Sequence, residues 1–582
     1  MRQAAFLLLL ILLSIKITAQ PIVYVKPKAP ASEDTVFNQS SGIKSISVTK
    51  NNLKRLTNLG AVWGFLKYYH PAVCSGQYNW DAQLFRLLPG YLGAPTDAIA
   101  YKLIENMVDS LGEVKPCKKC SEKEKGEVLK ADYGPIFDDH NLPLSLVAKL
   151  NFIRDNHSED GEHYYIAKVK NIGNPQFKNE IAYKQNAYPD AGLRLLALYR
   201  YWNMIQYFYP YRNLVEANGP WSEKLSLFIP RFVNAKNRTE YTLVCFELAA
   251  SINDSHAQAM SESGAIESYF GKYILPVEAA FVENKLVVTG YYLDTLHVFS
   301  NFKRGDIIEK IDGIPVATLL KKYSPITPAS NAAYRKNLLS RPTGALFRSN
   351  KTIAHIEVRR NGVLKNIMQR KFDAASYRRV LHENAAFRVL SGNIGYVYPA
   401  LLQQDDINKI KEAFLNTKGL IIDLRCDPAT FMPYTFGQWL KCEPSVFAKA
   451  SAVSLRKPGS FYTEEIPPNG EKNPACYDKP VVIIVNEKTI SQAEFTAMAL
   501  RTAPKTIILG CQTAGADGNV SVIELPGGIK TAITGIGIFY PDGTTAQRAG
   551  IKIDEPVQPS IKGVAAGRDE LMEMAIKHIS SD

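Results

Sequence analysis

At 582 residues, 46% hydrophobic and 21% charged, the chain is too long for one core and too ordinary in composition to be fibrous or disordered. Its formal charge of +13 is spread along the sequence, apart from the run Lys115 to Lys125. That argues against nucleic acid as a partner and for a solvated basic surface.

Met1-Arg2, the apolar run Ala4 to Ile15 and Thr18-Ala19-Gln20 read as a signal peptide over residues 1–20. The run is too short to span a bilayer, and no later stretch is long and apolar enough to cross one. Removing Arg2 and Lys16 with it lowers the charge to about +11. The mature protein is expected outside the cytoplasm: periplasmic, associated with the outer envelope, or secreted. Of the eight cysteines, Cys117 and Cys120 form a lone C-x-x-C with no second pair or nearby His. In an oxidising compartment that spacing favours a disulfide over zinc.

Residues 21–50, rich in Pro, Ser, Lys and Asn, read as a linker or loosely held arm. Leu53, Leu56, Leu59, Val62, Trp63 and Leu66 show helical spacing up to Pro71. The stretch Val62-Trp63 to Pro71 recurs as Tyr201-Trp202 to Pro210, Trp80 recurs as Trp221, and Leu88-Pro89 as Ile229-Pro230. The pattern in each copy is helix, loop with Trp, helix, Pro, helix. It predicts duplicated helical modules over 51–125 and 191–266, separated by a mixed insertion over 126–190. The aromatic stripes read as core. Copy two ends in Asp254-Ser255-His256, whereas copy one ends in Asp109-Ser110-Leu111.

Short strands dominate 267–375. Gly305-Asp306-Ile-Ile-Glu-Lys-Ile-Asp312-Gly313-Ile-Pro-Val316 resembles the PDZ domain, which clamps a peptide by strand addition. Residues 320–350 look like an insertion in it. From 376 to 582 strands and helices alternate as in a parallel βαβ layer. Within it, Val481 to Val485 read as a buried strand, Asn486 to Ile490 as a turn, and Ser491 as the start of a helix. Ser491 with Glu494 has the form of a capping box. A hydroxyl at such a turn is also where several hydrolase folds hold a nucleophile.

Four segments then fall in order: Asp423-Leu-Arg425, Asn486 to Glu494, Gly510-Cys-Gln-Thr513-Ala-Gly515 and Tyr540-Pro-Asp-Gly543. Together they resemble the carboxyl-terminal processing and tricorn family of serine peptidases, over roughly residues 191–582. The resemblance implies a multidomain α/β protein: a crotonase-like α/β catalytic domain, a PDZ-like β domain and the duplicated helical modules. It places Ser491 as nucleophile. In the processing branch the base is a lysine after T-x-G, and here Ala516 stands there. In the tricorn branch it is a histidine preceded by a serine, which points to His256 as general base and Ser255 as accessory serine. Gln547 stands where that branch has a glutamate, and it can orient by hydrogen bonds but not by charge. The oxyanion hole falls to the amides of Gln492 and of Ala429 or Thr430, in a loop where Cys426-Asp-Pro-Ala-Thr430 replaces the family's glycines.

The reading is a tricorn-like Ser/His endopeptidase acting on unfolded or C-terminal peptides. It needs no metal or organic cofactor, and the PDZ-like domain binds or gates the peptide. The rival reading, motivated by Gln547 and the missing glycines, is a catalytically impaired relative that binds a peptide or lipid in the envelope.

Overall fold

The computed structural model describes residues 30–118, 120, 126–137, 142–157, 163–217, 219–291, 301–378 and 383–581. The signal-peptide reading of 1–20, residues 21–29 of the linker and part of the Lys115–Lys125 run lie outside them. No helix among the described residues is long and apolar enough to cross a membrane.

The helical part holds α1 (Lys50–Tyr69), α2 (Trp80–Gly93) and α3 (Asp97–Ser110), then α4 (Ala191–Phe208), α5 (Trp221–Val233) and α6 (Arg238–Ala250). Thr49 caps α1 by accepting from the Asn52 amide, and the helix stops before Pro71. Pro89 and Pro230 lie inside α2 and α5 rather than between helices, one turn from the helix end. The duplication is visible as one repeated contact. The Trp63 indole donates to the Trp80 carbonyl at 3.1 Å and the Trp80 indole to the Trp63 carbonyl at 2.8 Å. Trp202 and Trp221 repeat this at 2.9 and 3.1 Å. A buried indole N–H needs an acceptor, and each tryptophan supplies its partner's.

Helices α1 and α4 approach where Gly60 and Gly64 face Tyr199 and Asn203. A Cβ on Gly64 would stand 1.8 Å from Asn203. The Asn203 amide instead donates to the Gly60 carbonyl at 3.0 Å. Both copies share one core, which also takes in Val453, Phe461, Ile523, Leu525, Ile529 and Ile533 from the C-terminal part. The described part of the arm, 30–49, is held rather than loose. Ser41 is buried and bonds Asp190 through amide and hydroxyl, while Asp34 pairs with Arg86.

An antiparallel sheet follows: β1 (Val277–Val282), β2 (Lys285–Tyr291), β3 (Ile307–Ile311), β4 (Ile353–Arg360) and β5 (Val363–Arg370), in the order β5-β4-β3-β2-β1. Its long β3–β4 connection carries α7 (Ala332–Ser340).

The C-terminal domain is a sheet in the order β6-β7-β8-β9-β10-β13. These strands are β6 (Phe387–Leu390), β7 (Ile394–Val397), β8 (Leu420–Asp423), β9 (Val481–Val485), β10 (Thr506–Gly510) and β13 (Glu555–Pro556). Strands β7 to β10 and β13 are parallel, and β6 closes the edge antiparallel. All five residues of β9 are buried, because apolar layers cover both faces of a central parallel strand. Helices α8 (Gln492–Leu500) and α9 (Glu570–Ser581) lie in those layers. A separate hairpin, β11 (Val520–Leu525) and β12 (Ile529–Thr534), packs towards the helical part. Two disulfides are formed: Cys117–Cys120, and Cys442–Cys476, a pairing that spacing alone does not reveal.

Candidate active site

The C-terminal end of β9 delivers the chain into a tight turn. Thr489 closes it by accepting from the Asn486 amide at 3.0 Å and donating its hydroxyl to the Leu424 carbonyl at 2.7 Å. Ser491 then sits at φ 55°, ψ −119°. That left-handed region costs a residue with a Cβ about 1–3 kcal/mol and is tolerated where surroundings over-determine it. The backbone is not that of an N-cap, and the side chain makes no capping bond. The capping-box reading of Ser491 is therefore corrected: the helix starts at Gln492, and the hydroxyl is left uncommitted at its N-terminus.

Glu494 does more than a capping box would ask of it. Fully buried, its carboxylate accepts from the amides of Gly515 and Ala516, both at 2.9 Å, and from the Thr513 hydroxyl. Burial pushes its pKa up to about 7 against these bonds. The segment Thr513–Ala516 is thereby clamped under the turn, and the Ala516 carbonyl accepts from the Ser491 amide at 2.9 Å. Gly515, at φ +66°, passes so close to Arg548 that a Cβ would meet its backbone at 2.8 Å. Ala516, where the processing branch has lysine, is wholly buried. Beside Glu494, Asp517 is buried with one oxygen unpartnered, and burial holds its carboxyl well above the usual range.

The loop after α6 comes to the same segment. The Ser255 hydroxyl donates to the Ala514 carbonyl at 2.9 Å and accepts from the Ser330 amide at 2.8 Å. Its neighbour His256 is 8% exposed at the side chain, with Nδ1 2.8 Å from the Thr534 hydroxyl at the end of β12. His256 Nε2 is buried without a hydrogen-bond partner, so no bond joins it to Ser491 here. Burial lowers its pKa, opposed by the charge of Asp254, whose carboxylate stands 3.9 Å from Nδ1. Gln547 makes no hydrogen bond to His256. Its amide lies 3.4 Å from both Asp254 and the Tyr209 hydroxyl.

Asp423-Leu-Arg425 anchors the loop opposite. Arg425 bridges Asp423 and Asp569, ahead of α9, with bonds of 2.7 to 2.9 Å. Beyond it, the Ala429 amide donates to the Pro399 carbonyl at 2.9 Å, which removes Ala429 from the pair expected to face an oxyanion and leaves Thr430. The Gln492 side chain donates to the Thr430 carbonyl at 2.6 Å, tying that loop to the residue after the nucleophile position. The insertion closes a further side. Asn331 donates to the Thr513 carbonyl at 2.8 Å, and Tyr334 and Leu338 of α7 pack on Ala514.

Sequence reasoning thus brought Ser491, Gln492, Thr430, Ser255 and His256 to loops that meet. It assigned nothing to Asp254, Thr534, Asn331 or Tyr334. The signal for Asp254 was its place two residues before His256. Nothing local marks the others.

Known proteins bear on this arrangement. Residues 393–557 match peptidase family S41. The carboxy-terminal-processing protease of Bartonella bacilliformis is 23% identical over 312 residues, covering 51% of this chain and 65% of that protein. A protein of Chlamydia trachomatis is 26% identical over 231 residues, 38% of this chain and 36% of its own length. The chain therefore spans less than two thirds of either curated relative. Among solved structures, mature CPAF superposes with a TM-score of 0.53 at 15% identity, over 67% of this chain and 96% of its own. That likeness shows a shared multidomain fold, helical region included.

Proposed function

We propose, for a chain whose residues 393–557 belong to peptidase family S41, that it is a serine endopeptidase working through an acyl-enzyme. His256 Nε2 takes the Ser491 proton as Oγ attacks a peptide carbonyl, and the Gln492 and Thr430 amides hold the oxyanion. The imidazolium then protonates the leaving amine, and water, deprotonated in turn by His256, releases the acyl group. The scheme is tricorn-like, Ser/His rather than Ser/Lys, in a crotonase-like domain. The observation that carries it is the strained, uncapped Ser491 bonded to the same clamped segment as Ser255, whose neighbour His256 has a buried Nε2 with no hydrogen-bond partner.

The β1–β5 domain is assigned the PDZ role of holding an unfolded or C-terminal peptide, and its α7 insertion the role of a cleft wall. The two disulfides support an extracytoplasmic location.

Intact-mass analysis with a fluorophosphonate tests the reading. A single adduct on the wild type, lost in Ser491→Ala and His256→Ala, supports it. An adduct that persists in Ser491→Ala sinks it. The second reading, a peptide- or lipid-binding protein, is favoured by one observation, the engaged Ala429 amide. It predicts saturable ligand capture with no adduct.

A further inference from the structure

Gln547 occupies the position where a charged partner for the base was expected, and it makes no hydrogen bond to His256. A carboxylate does stand close by. Asp254 is wholly buried, and its two oxygens accept from the His256 amide at 3.0 Å, the Thr534 amide at 2.8 Å and the Thr534 hydroxyl at 3.0 Å, with Gln547 at 3.4 Å. It receives these donors and offers none, as an ionised carboxylate does.

The Thr534 hydroxyl owns one proton. Its oxygen lies 3.0 Å from Asp254 Oδ1 and 2.8 Å from His256 Nδ1. Against a carboxylate that proton must point to Asp254, since two bare oxygens at that distance repel. The hydroxyl oxygen can then only accept from the ring, so Nδ1 carries the imidazole proton. Nε2 is left as the lone-pair nitrogen, and it is the ring atom with no partner.

We propose that Asp254, acting through the Thr534 hydroxyl, is the positioning carboxylate for His256, taking over the task that a glutamate at residue 547 would have performed. This rests on the Ser491–His256 reading. When Ser491 Oγ bonds to the substrate carbonyl carbon, its proton moves to Nε2. The imidazolium formed keeps its Nδ1–H on Thr534, Thr534 keeps its proton on Asp254, and no proton travels along the relay. Asp254 stays a carboxylate and stabilises the cation 3.9 Å away. Four other ionisable groups feel the charge of Asp254: Tyr201, Tyr209 and Tyr211 from α4 and the turn after it, and Arg548 beside Gln547.

The test pairs a readout of the ring with a readout of reactivity. In ¹⁵N-histidine protein, with His256→Ala used to assign the signal, the His256 ring is expected as the Nδ1–H tautomer. Thr534→Ser should keep that tautomer and Thr534→Val should lose it. Fluorophosphonate labelling should fall about 10²-fold in Thr534→Val and about 10⁴-fold in Asp254→Asn, and recover to within several-fold in Thr534→Ser. Asp254→Asn should also move the labelling pH midpoint down, because the imidazolium loses its counter-charge. Gln547→Glu should give no gain.

An Nε2–H tautomer in the wild type overturns the proposal, as does a Thr534→Val protein that labels at the wild-type rate. Faster labelling in Gln547→Glu also overturns it. Labelling that survives His256→Ala instead refutes the Ser/His reading, and the tautomer measurement still reads the relay on its own.

Discussion

Ser255 and Ser330 exchange hydrogen bonds, each backbone amide donating to the other's hydroxyl at 2.8 Å. The pair joins the loop that carries His256 to the insertion of the β domain, and the Ser255 hydroxyl extends the chain to Ala514. Any displacement of the β domain that moves Ser330 is therefore felt one residue from His256.

Removing the Ser330 hydroxyl leaves the buried Ser255 amide without an acceptor, which costs about 1–3 kcal/mol. Ser330→Ala is expected to lower the thermal midpoint and slow fluorophosphonate labelling. Ser255→Ala should do more, since its oxygen serves two partners. A Ser330→Ala protein with the wild-type thermal midpoint would contradict the bond.

The strain at Ser491 yields a prediction of opposite sign for stability and activity. Glycine adopts φ 55° freely, so Ser491→Gly relieves about 1–3 kcal/mol while deleting the hydroxyl proposed as nucleophile. The variant should melt above the wild type and take no adduct. Ser491→Ala should take no adduct either, but gain less stability, because its Cβ stays in the left-handed region.

Glu494, with its pKa raised to about 7, and Asp517, raised well above its usual range, bind more protons folded than unfolded. Stability from this pair is present at acid pH and falls as pH rises from about 4.5 towards and through 7. For Glu494 alone the change is on the order of 3 kcal/mol. Glu494→Gln should flatten this slope in thermal midpoints taken between pH 5 and 8. An unchanged slope would show that Glu494 does not titrate there.

Gln492 is expected to matter beyond its amide. Its side chain fixes the Thr430 carbonyl at 2.6 Å, and with it the direction of the neighbouring peptide. Gln492→Ala keeps the backbone donor but releases the loop. Losing one oriented donor costs about 10²–10³ in kcat, so a fall of up to that size with KM little changed is the expected result. A pure KM effect would assign the side chain to substrate binding.

Much of this site is legible in the chain itself. Five apolar residues ending in a turn at Asn486 mark the central strand, and Ser491 follows at the helix start because a covered parallel strand leaves few other readings. The tryptophan repeats announce the duplicated helical units, although not that each pair would exchange indole bonds. The failures have one cause. The capping-box pattern at Ser491 and Glu494 is a local rule, and here long-range contacts outweigh it, with Glu494 turned to Gly515 and Ala516. Thr534, Ser330 and Asn331 lie far in sequence from the groups they hold, and no periodicity links such positions. The engagement of the Ala429 amide was hidden for the same reason, since its acceptor, Pro399, lies on another segment.

The tryptophan latches and the histidine contact differ greatly in reach. Trp63 meets Trp80 across 17 residues and Trp202 meets Trp221 across 19, whereas His256 meets Thr534 across 278. Short loops close early and long ones late, because closure entropy must be met before a distant contact forms. The helical units can therefore settle while the chain is still emerging, but His256 lacks its Thr534 contact until the hairpin ending there has been made and docked. On the proposed mechanism, a nascent chain stays chemically silent until that hairpin has emerged.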